Sequence, residues 1–82
     1  MAALQIMRRR KAQEFVVGVK GQPPCAFPDG SVPVWTWRGE AMRAAARCSA
    51  EGKGEHVVMT VTARMRDCWR AHDTVLVLDG RR

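Results

Sequence analysis

The residues best suited to bind a metal are Cys68 and His72, which stand four positions apart and would share one face of a helix. A zinc site normally takes four converging ligands from two such close pairs, and this sequence offers one pair. The other candidate ligands are distant along the chain, at Cys25, Cys48 and His56. We therefore expect no bound metal, with Cys68 as a buried thiol and His72 as a surface loop residue.

Acid–base chemistry on a phosphodiester is the second chemistry that the residue types allow. A ribonuclease would need a proton-transferring histidine, His56 or His72, beside a cation such as Arg64 or Arg66 and the carboxylate of Asp67. No spacing brings these residues together, and the sequence has neither a nucleophilic triad nor a glycine-rich phosphate loop. We expect that the protein is not an enzyme and uses no cofactor, and a small ribonuclease toxin stays an alternative.

Positive charge is the clearest functional feature of the composition. The chain has 14 Lys and Arg against 8 Asp and Glu, a net charge of +6 and a pI near 10.3. Most of the cations are arginine in an alanine-rich chain, which a GC-rich genome also produces, so the net charge is more informative than the choice of arginine. It favours a partner with an acidic surface, a protein or a nucleoprotein complex. The predicted binding residues are the basic clusters and one tryptophan beside them: Arg8, Arg9, Arg10, Lys11, Arg64, Arg66, Trp69 and Arg70.

Three tryptophans are too many to bury completely in so small a core. Trp37 falls on the apolar stripe of a predicted helix, and we expect it in the core. Trp69 lies between Cys68 and Arg70 in a predicted loop, so we expect it to be exposed. Exposed tryptophan is a frequent anchor in binding interfaces.

Helical spacing is clear over residues 39–51. The apolar stripe consists of positions spaced mainly three or four apart: Trp37, Ala41, Ala44, Ala45 and Cys48. Thr36 is the predicted N-cap, and Gly52 and Gly54 end the helix. The small alanine side chains predict close packing of this helix against a sheet.

Alternating apolar residues predict strands at 14–20, 55–66 and 74–79. The last two strands are predicted to form an antiparallel hairpin connected by residues 67–73. Residues 3–8 fit either a strand or a helix, because periodicity over so few residues does not distinguish them. Between the first strand and the helix, residues 21–34 contain all four prolines and an Asp-Gly turn, which predicts a structured loop or an irregular edge strand.

These elements predict an α+β fold in the order (β)-β-α-β-β, within a single domain of residues 1–82. A small antiparallel sheet of three or four strands would carry one helix packed on one face, which leaves its other face uncovered. We place the binding surface on that uncovered face, where alternation positions Thr60, Thr62, Arg64 and Arg66. The thin core of so short a chain and the uncovered face also favour a homodimer.

Cysteine usage and hydropathy bear on the location of the protein. Three cysteines separated by 23 and 20 residues make a disulfide framework improbable and favour the reducing cytoplasm. The apolar run at 75–78 is far too short to cross a bilayer, and the N-terminal charges follow the apolar stretch, which is the wrong order for a secretory signal. We expect a cytoplasmic protein that does not contact membranes.

A short basic chain with a strand at 14–20, a helix at 39–51 and a hairpin within 55–79 resembles the phage-encoded inhibitors known as anti-CRISPR proteins. The resemblance is architectural and carries over no functional residue. It implies a non-enzymatic protein that blocks a surface of a larger complex by occupying it. The charge of +6 excludes the acidic DNA-mimic mode of many such inhibitors, so a basic member would dock on an acidic protein or nucleoprotein surface. A module that binds DNA or RNA directly is the alternative.

Overall fold

A computed structural model describes residues 13–52 and 54–80 of the chain. This part contains four strands and two helices, which confirms the α+β class. In chain order the elements are β1 (Phe15–Val19), β2 (Val32–Val34), α1 (Arg38–Ala50), β3 (His56–Thr60), α2 (Ala63–Ala71) and β4 (Leu76–Leu78). The prediction of a single helix is wrong, because α2 occupies residues that we assigned to the end of a strand and to a loop.

The strands form two small sheets. β1 pairs with β3 in antiparallel orientation, and β2 pairs with β4 in parallel orientation. Two backbone hydrogen bonds between Phe15 and Trp35, with N to O distances of 2.7 and 2.8 Å, join β1 to the end of β2. The predicted antiparallel hairpin of 55–66 and 74–79 is wrong, since these two segments pair with different strands.

α1 covers one face of β1 and β3. Its small buried residues Ala41, Ala44 and Ala45 pack against Phe15 and Val17 of β1. Each alanine allows the helix backbone to approach the strands closely, as the alanine stripe predicted. The helix ends as expected, because Gly52 follows it with a φ of +78°, a conformation that glycine adopts without a Cβ clash.

α2 covers the opposite face of β1. Since successive strand side chains point to opposite faces, Val16 lies on the other side from its two neighbours, and it packs there against Trp69 of α2. Val32 and Val34 of β2 complete this second cluster. β1 is therefore buried on both faces, whereas its alternation predicted a half-buried strand.

Both faces of β1 are thus covered, and the predicted uncovered sheet face that holds Thr60, Thr62, Arg64 and Arg66 is wrong. Of these residues, Thr60 ends β3, and both arginines belong to α2. The reason is the change from strand to helix at Thr62, which ends the alternation that placed the four side chains on one face.

The proline-rich segment is a structured loop only up to β2, because the last three residues of the predicted range 21–34 form that strand, Val32–Val34. The N–H of Cys25 donates to the carbonyl of Val17 at 2.8 Å, which fixes the loop to β1. Asp29 accepts hydrogen bonds from the backbone N–H and the hydroxyl of Ser31, and Gly30 between them has a φ of +91°. The Asp-Gly pair therefore forms the expected turn.

Candidate functional site

α2 carries three of the predicted binding arginines, and local chemistry explains where it begins. Thr62 is its N-cap, because its hydroxyl oxygen accepts a hydrogen bond from the backbone N–H of Met65 at 3.1 Å. Met65 and Trp69 stand four positions apart and so share one face of the helix. That face packs against the valines of β1 and β2. The other side of α2 consequently faces solvent.

The solvent-facing side of α2 is rich in positive charge. Arg64, Arg66 and Arg70 are all exposed. Arg66 forms an ion pair with Glu14, just before β1, and Nη1 of Arg70 lies 3.8 Å from Oδ1 of Asp67. Both pairs are open to water, so each is worth less than about 1 kcal/mol and neither removes its arginine from solvent. We call these three arginines the α2 arginine face.

The two tryptophan predictions are wrong in opposite directions. Trp69 is only 9% exposed, because it sits on the inner face of a helix and not in a loop. Trp37 is 72% exposed, because it is the N-cap of α1 with extended backbone angles and so leaves the apolar stripe. Thr36 is therefore not the N-cap. Of the two, Trp37 is the tryptophan that a partner can reach.

The basic charge is unevenly placed along the chain. All eight acidic residues but only seven of the fourteen cations lie within 13–52 and 54–80, so this part has a formal net charge of −1. The predicted binding run Arg8, Arg9, Arg10 and Lys11 lies outside the described residues, as do the cations at 53, 81 and 82. The α2 arginine face is thus a local concentration of positive charge, because the other described residues hold four cations against eight acidic residues, a formal net charge of −4.

Cys68 and His72 lie together at the end of α2. Their Sγ and Nδ1 atoms are 3.8 Å apart, and the same nitrogen lies 2.9 Å from the backbone carbonyl oxygen of Cys68. Cys68 is exposed, so its prediction as a buried thiol is wrong. Within the described ranges, no group of three or more His, Cys, Asp or Glu side chains is arranged to hold a metal ion.

His56 stands at the start of β3 and makes local contacts. Its Nδ1 lies 2.8 Å from the carbonyl oxygen of Gly54, and its backbone N–H donates to the hydroxyl of Ser49 at 2.9 Å. That hydroxyl also donates to the carbonyl of Ala45, so His56 links β3 to the last turn of α1. His56 and His72 thus each have one ring nitrogen beside a nearby backbone carbonyl.

A groove runs between α1 and the β2–β4 pair, and sequence reasoning missed it. It consists of two adjacent depressions of 710 and 490 Å³ that share Trp35, Arg47 and Gly80. Glu40 and Arg43 line the larger depression. Both depressions are open to solvent, and the mixed charges of the lining favour neither an anionic nor a cationic ligand. No motif marks the groove, because its lining comes from segments that are far apart in the sequence: α1, the proline-rich loop, the end of β2 and the residues after β4.

Asp79 is the most unusual residue of this groove. Its backbone φ is +56°, a value that residues other than glycine rarely adopt, and its N–H donates to the carbonyl of Val34 at 2.6 Å. Its Oδ1 atom is buried and has no hydrogen-bond partner in the part of the chain that the structure describes. Strain and an unsatisfied oxygen together mark this position as one that costs stability.

Comparison with protein-family models, with curated proteins and with solved structures finds no significant match to this chain. Across the described residues, neither helix has the length and apolar character needed to cross a membrane.

Proposed function

We propose that this chain is a non-enzymatic binding protein that docks on an acidic protein or nucleoprotein surface in the cytoplasm. The observation that carries the proposal is the α2 arginine face, three exposed guanidinium groups on a nine-residue helix that Trp69 fixes from behind. A fixed helix presents its charges without a further loss of backbone freedom when a partner binds. Guanidinium groups also form bidentate hydrogen bonds with carboxylates and phosphates, the groups that such a surface offers.

Long-range charge supports the same function. The run Arg8–Lys11 precedes Glu14 by only a few residues, and Glu14 contacts Arg66 of the α2 arginine face. Uncompensated positive charge accelerates association with an acidic partner, and this acceleration decreases as salt is added. Simple occupation of a surface needs no catalytic set, which agrees with the inhibitor role implied by the resemblance to anti-CRISPR proteins.

Capture from a lysate of the source cells, before and after nuclease treatment, tests the proposal. The test variant replaces all three residues of the α2 arginine face with glutamine: Arg64→Gln, Arg66→Gln and Arg70→Gln. The matched control replaces three arginines of α1: Arg38→Gln, Arg43→Gln and Arg47→Gln. Both variants lose the same formal charge. We expect the native protein and the α1 variant to retain a protein partner after nuclease treatment, and the α2 variant to lose it.

Three results would contradict the proposal. If both variants lost the captured partner to the same extent, binding would depend on net charge and not on the α2 arginine face. Capture that disappears with nuclease, together with binding to a protein-free DNA or RNA oligonucleotide, would indicate direct nucleic-acid binding. The log of that affinity would fall linearly with log salt, with a slope of about 0.7 to 0.9 per phosphate contact. Growth arrest on expression that is abolished by His56→Ala or His72→Ala would indicate a ribonuclease toxin.

A further inference from the structure

β4 presents an edge that lacks a partner strand among the described residues. Its pairing with β2 uses the carbonyl of Val75, which accepts from Val32 N–H at 2.9 Å, and the N–H of Asp79. Backbone groups of successive strand residues point alternately to the two edges. The N–H and C=O groups of Leu76 and Leu78 therefore point away from β2, toward the free edge.

The side chains at this edge are apolar and exposed. Leu76 is 42% and Leu78 is 60% exposed, and the preceding Val75 is exposed as well. Proteins usually protect an edge strand with lysine, proline or a bulge, and residues 74–78 contain neither lysine nor proline nor any charged residue. Unpaired backbone groups beside exposed leucines form a template for another strand.

The exposed leucines continue the second core cluster. In the parallel register, Leu76 lies beside Val32 and Leu78 lies beside Val34. Register partners share a face of the sheet, and both valines pack against Trp69. A strand added at this edge would extend the same apolar surface outward.

We propose that the free edge of β4 binds β4 of a second copy of this chain, in antiparallel orientation about a two-fold axis at Val77. In each copy Leu76 then lies opposite Leu78 of the other copy. Each of these two pairs exchanges two backbone hydrogen bonds, which gives four in total. The four leucines of the two copies meet on one face. A two-fold axis at Leu76 is less favourable. In that register the N–H of Thr74 would have to donate across the interface, and it already donates to the carbonyl of Trp69 at 2.8 Å.

Charge and size argue for a weak but self-complementary dimer. The paired segment is uncharged, and the two Asp79 carboxylates lie about 13 Å apart along the strands, beyond the screening distance at physiological salt. An interface built on three strand residues is smaller than the roughly 800 Å² per partner of stable complexes. We therefore expect reversible dimerisation that requires high protein concentration. This surface and its partner are distinct from those of the proposed function.

Sedimentation equilibrium of the full chain from about 10 μM to 1 mM tests the dimer. We expect the weight-average mass to rise from 9.2 kDa toward twice that value. Leu78→Lys removes apolar surface and sets a cation at the interface, so association should weaken by about tenfold or more. The matched control is Met42→Lys on α1, which alters a residue of similar exposure and should leave association unchanged. Circular dichroism establishes that both variants are folded.

Val77→Cys tests the register. In the proposed dimer the two residues at position 77 face each other with Cα atoms about 4.5 to 5.5 Å apart, within reach of a disulfide. Oxidation should yield a crosslinked dimer whose peptide map joins position 77 to position 77, and the native chain with its three thiols supplies the background. Failure of this crosslink at a concentration where the chain dimerises would overturn the proposed register.

Two further outcomes would overturn the proposal as a whole. One is a monomer at all concentrations, and the other is a dimer that Met42→Lys disrupts while Leu78→Lys does not. Amide hydrogen exchange measures independently what covers the edge. Protection of the Leu76 and Leu78 amides that rises with concentration supports the dimer, whereas protection independent of concentration shows that a segment of the same chain pairs with β4.

Discussion

Replacement of Trp69 by alanine should destabilise the fold strongly. The indole is 9% exposed and packs against Val16, Val32 and Val34, so its removal leaves a cavity between α2 and the strands. Truncation of a buried tryptophan to alanine costs about 3 to 5 kcal/mol. A chain of 82 residues has a total stability of about 4 to 12 kcal/mol at typical values per residue. The substitution should therefore remove a large fraction of the stability.

Urea unfolding and thermal unfolding, both followed by far-ultraviolet circular dichroism, measure this loss without relying on tryptophan fluorescence. At about 4 to 8 °C per kcal/mol for a domain of this size, the Tm should fall by at least about 12 °C. Trp37→Ala is the matched control, and it should change the free energy of unfolding by less than about 0.5 kcal/mol because Trp37 is 72% exposed. If Trp69→Ala does not fold, Trp69→Phe should fold with a smaller loss. A stable Trp69→Ala beside a destabilised Trp37→Ala would refute the packing described for α2.

Three smaller perturbations test other contacts, each by the change in the free energy of urea unfolding. Gly80→Ala places a Cβ 2.8 Å from Cζ2 of Trp35 at a φ of +65°, so it should cost more than Gly30→Ala, which also has positive φ but meets no atom within 4 Å. Thr62→Ala removes the N-cap of α2 and should cost about 0.5 to 2 kcal/mol, and Thr62→Ser should restore most of it. Glu14→Gln removes the carboxylate that pairs with α2 and should cost less than about 1 kcal/mol, an effect that 1 M salt should diminish. The close approach of Gly80 to Trp35 would be contradicted if Gly30→Ala lost more stability than Gly80→Ala. The cap would be contradicted if Thr62→Ser recovered no stability, and the ion pair if salt did not reduce the cost of Glu14→Gln.

Local chemistry was sufficient to predict some elements. The alanine stripe and Gly52 predicted α1, and the Asp29–Gly30 pair predicted a turn in the proline-rich loop. These features depend on neighbours within a few residues, so their sequence pattern and their structure coincide. β1 was also recognised, but its burial on both faces was not. A strand that reads Phe-Val-Val-Gly-Val gives no sign of how many helices will cover it.

α2 was missed because two periodicities coincide in one segment. The apolar positions Val61 and Met65 continue the alternation of β3, and with Trp69 they also form a series spaced by four residues. Only Thr62, a residue suited to an N-cap, marked the change from strand to helix. Packing of Trp69 against distant valines then stabilises the helix, and such long-range contacts cannot be derived from a local pattern. The wrong placement of Arg64 and Arg66 followed from this one error.

The second helix also changes where a partner can bind. With both faces of β1 covered, neither face of that strand is available, whereas the outer side of α2, the groove beside α1 and the edge of β4 are exposed in the described part of the chain. In the two proposals, the arginines of α2 would attract an acidic surface through charge, whereas β4 would contribute apolar contact through its leucines and backbone pairing. The first interaction is electrostatic and the second is apolar, and they lie on different elements. Salt should therefore weaken binding through the α2 arginines and leave pairing through β4 nearly unchanged. The proposed binding to an acidic partner and the proposed self-association should therefore be separable by mutation.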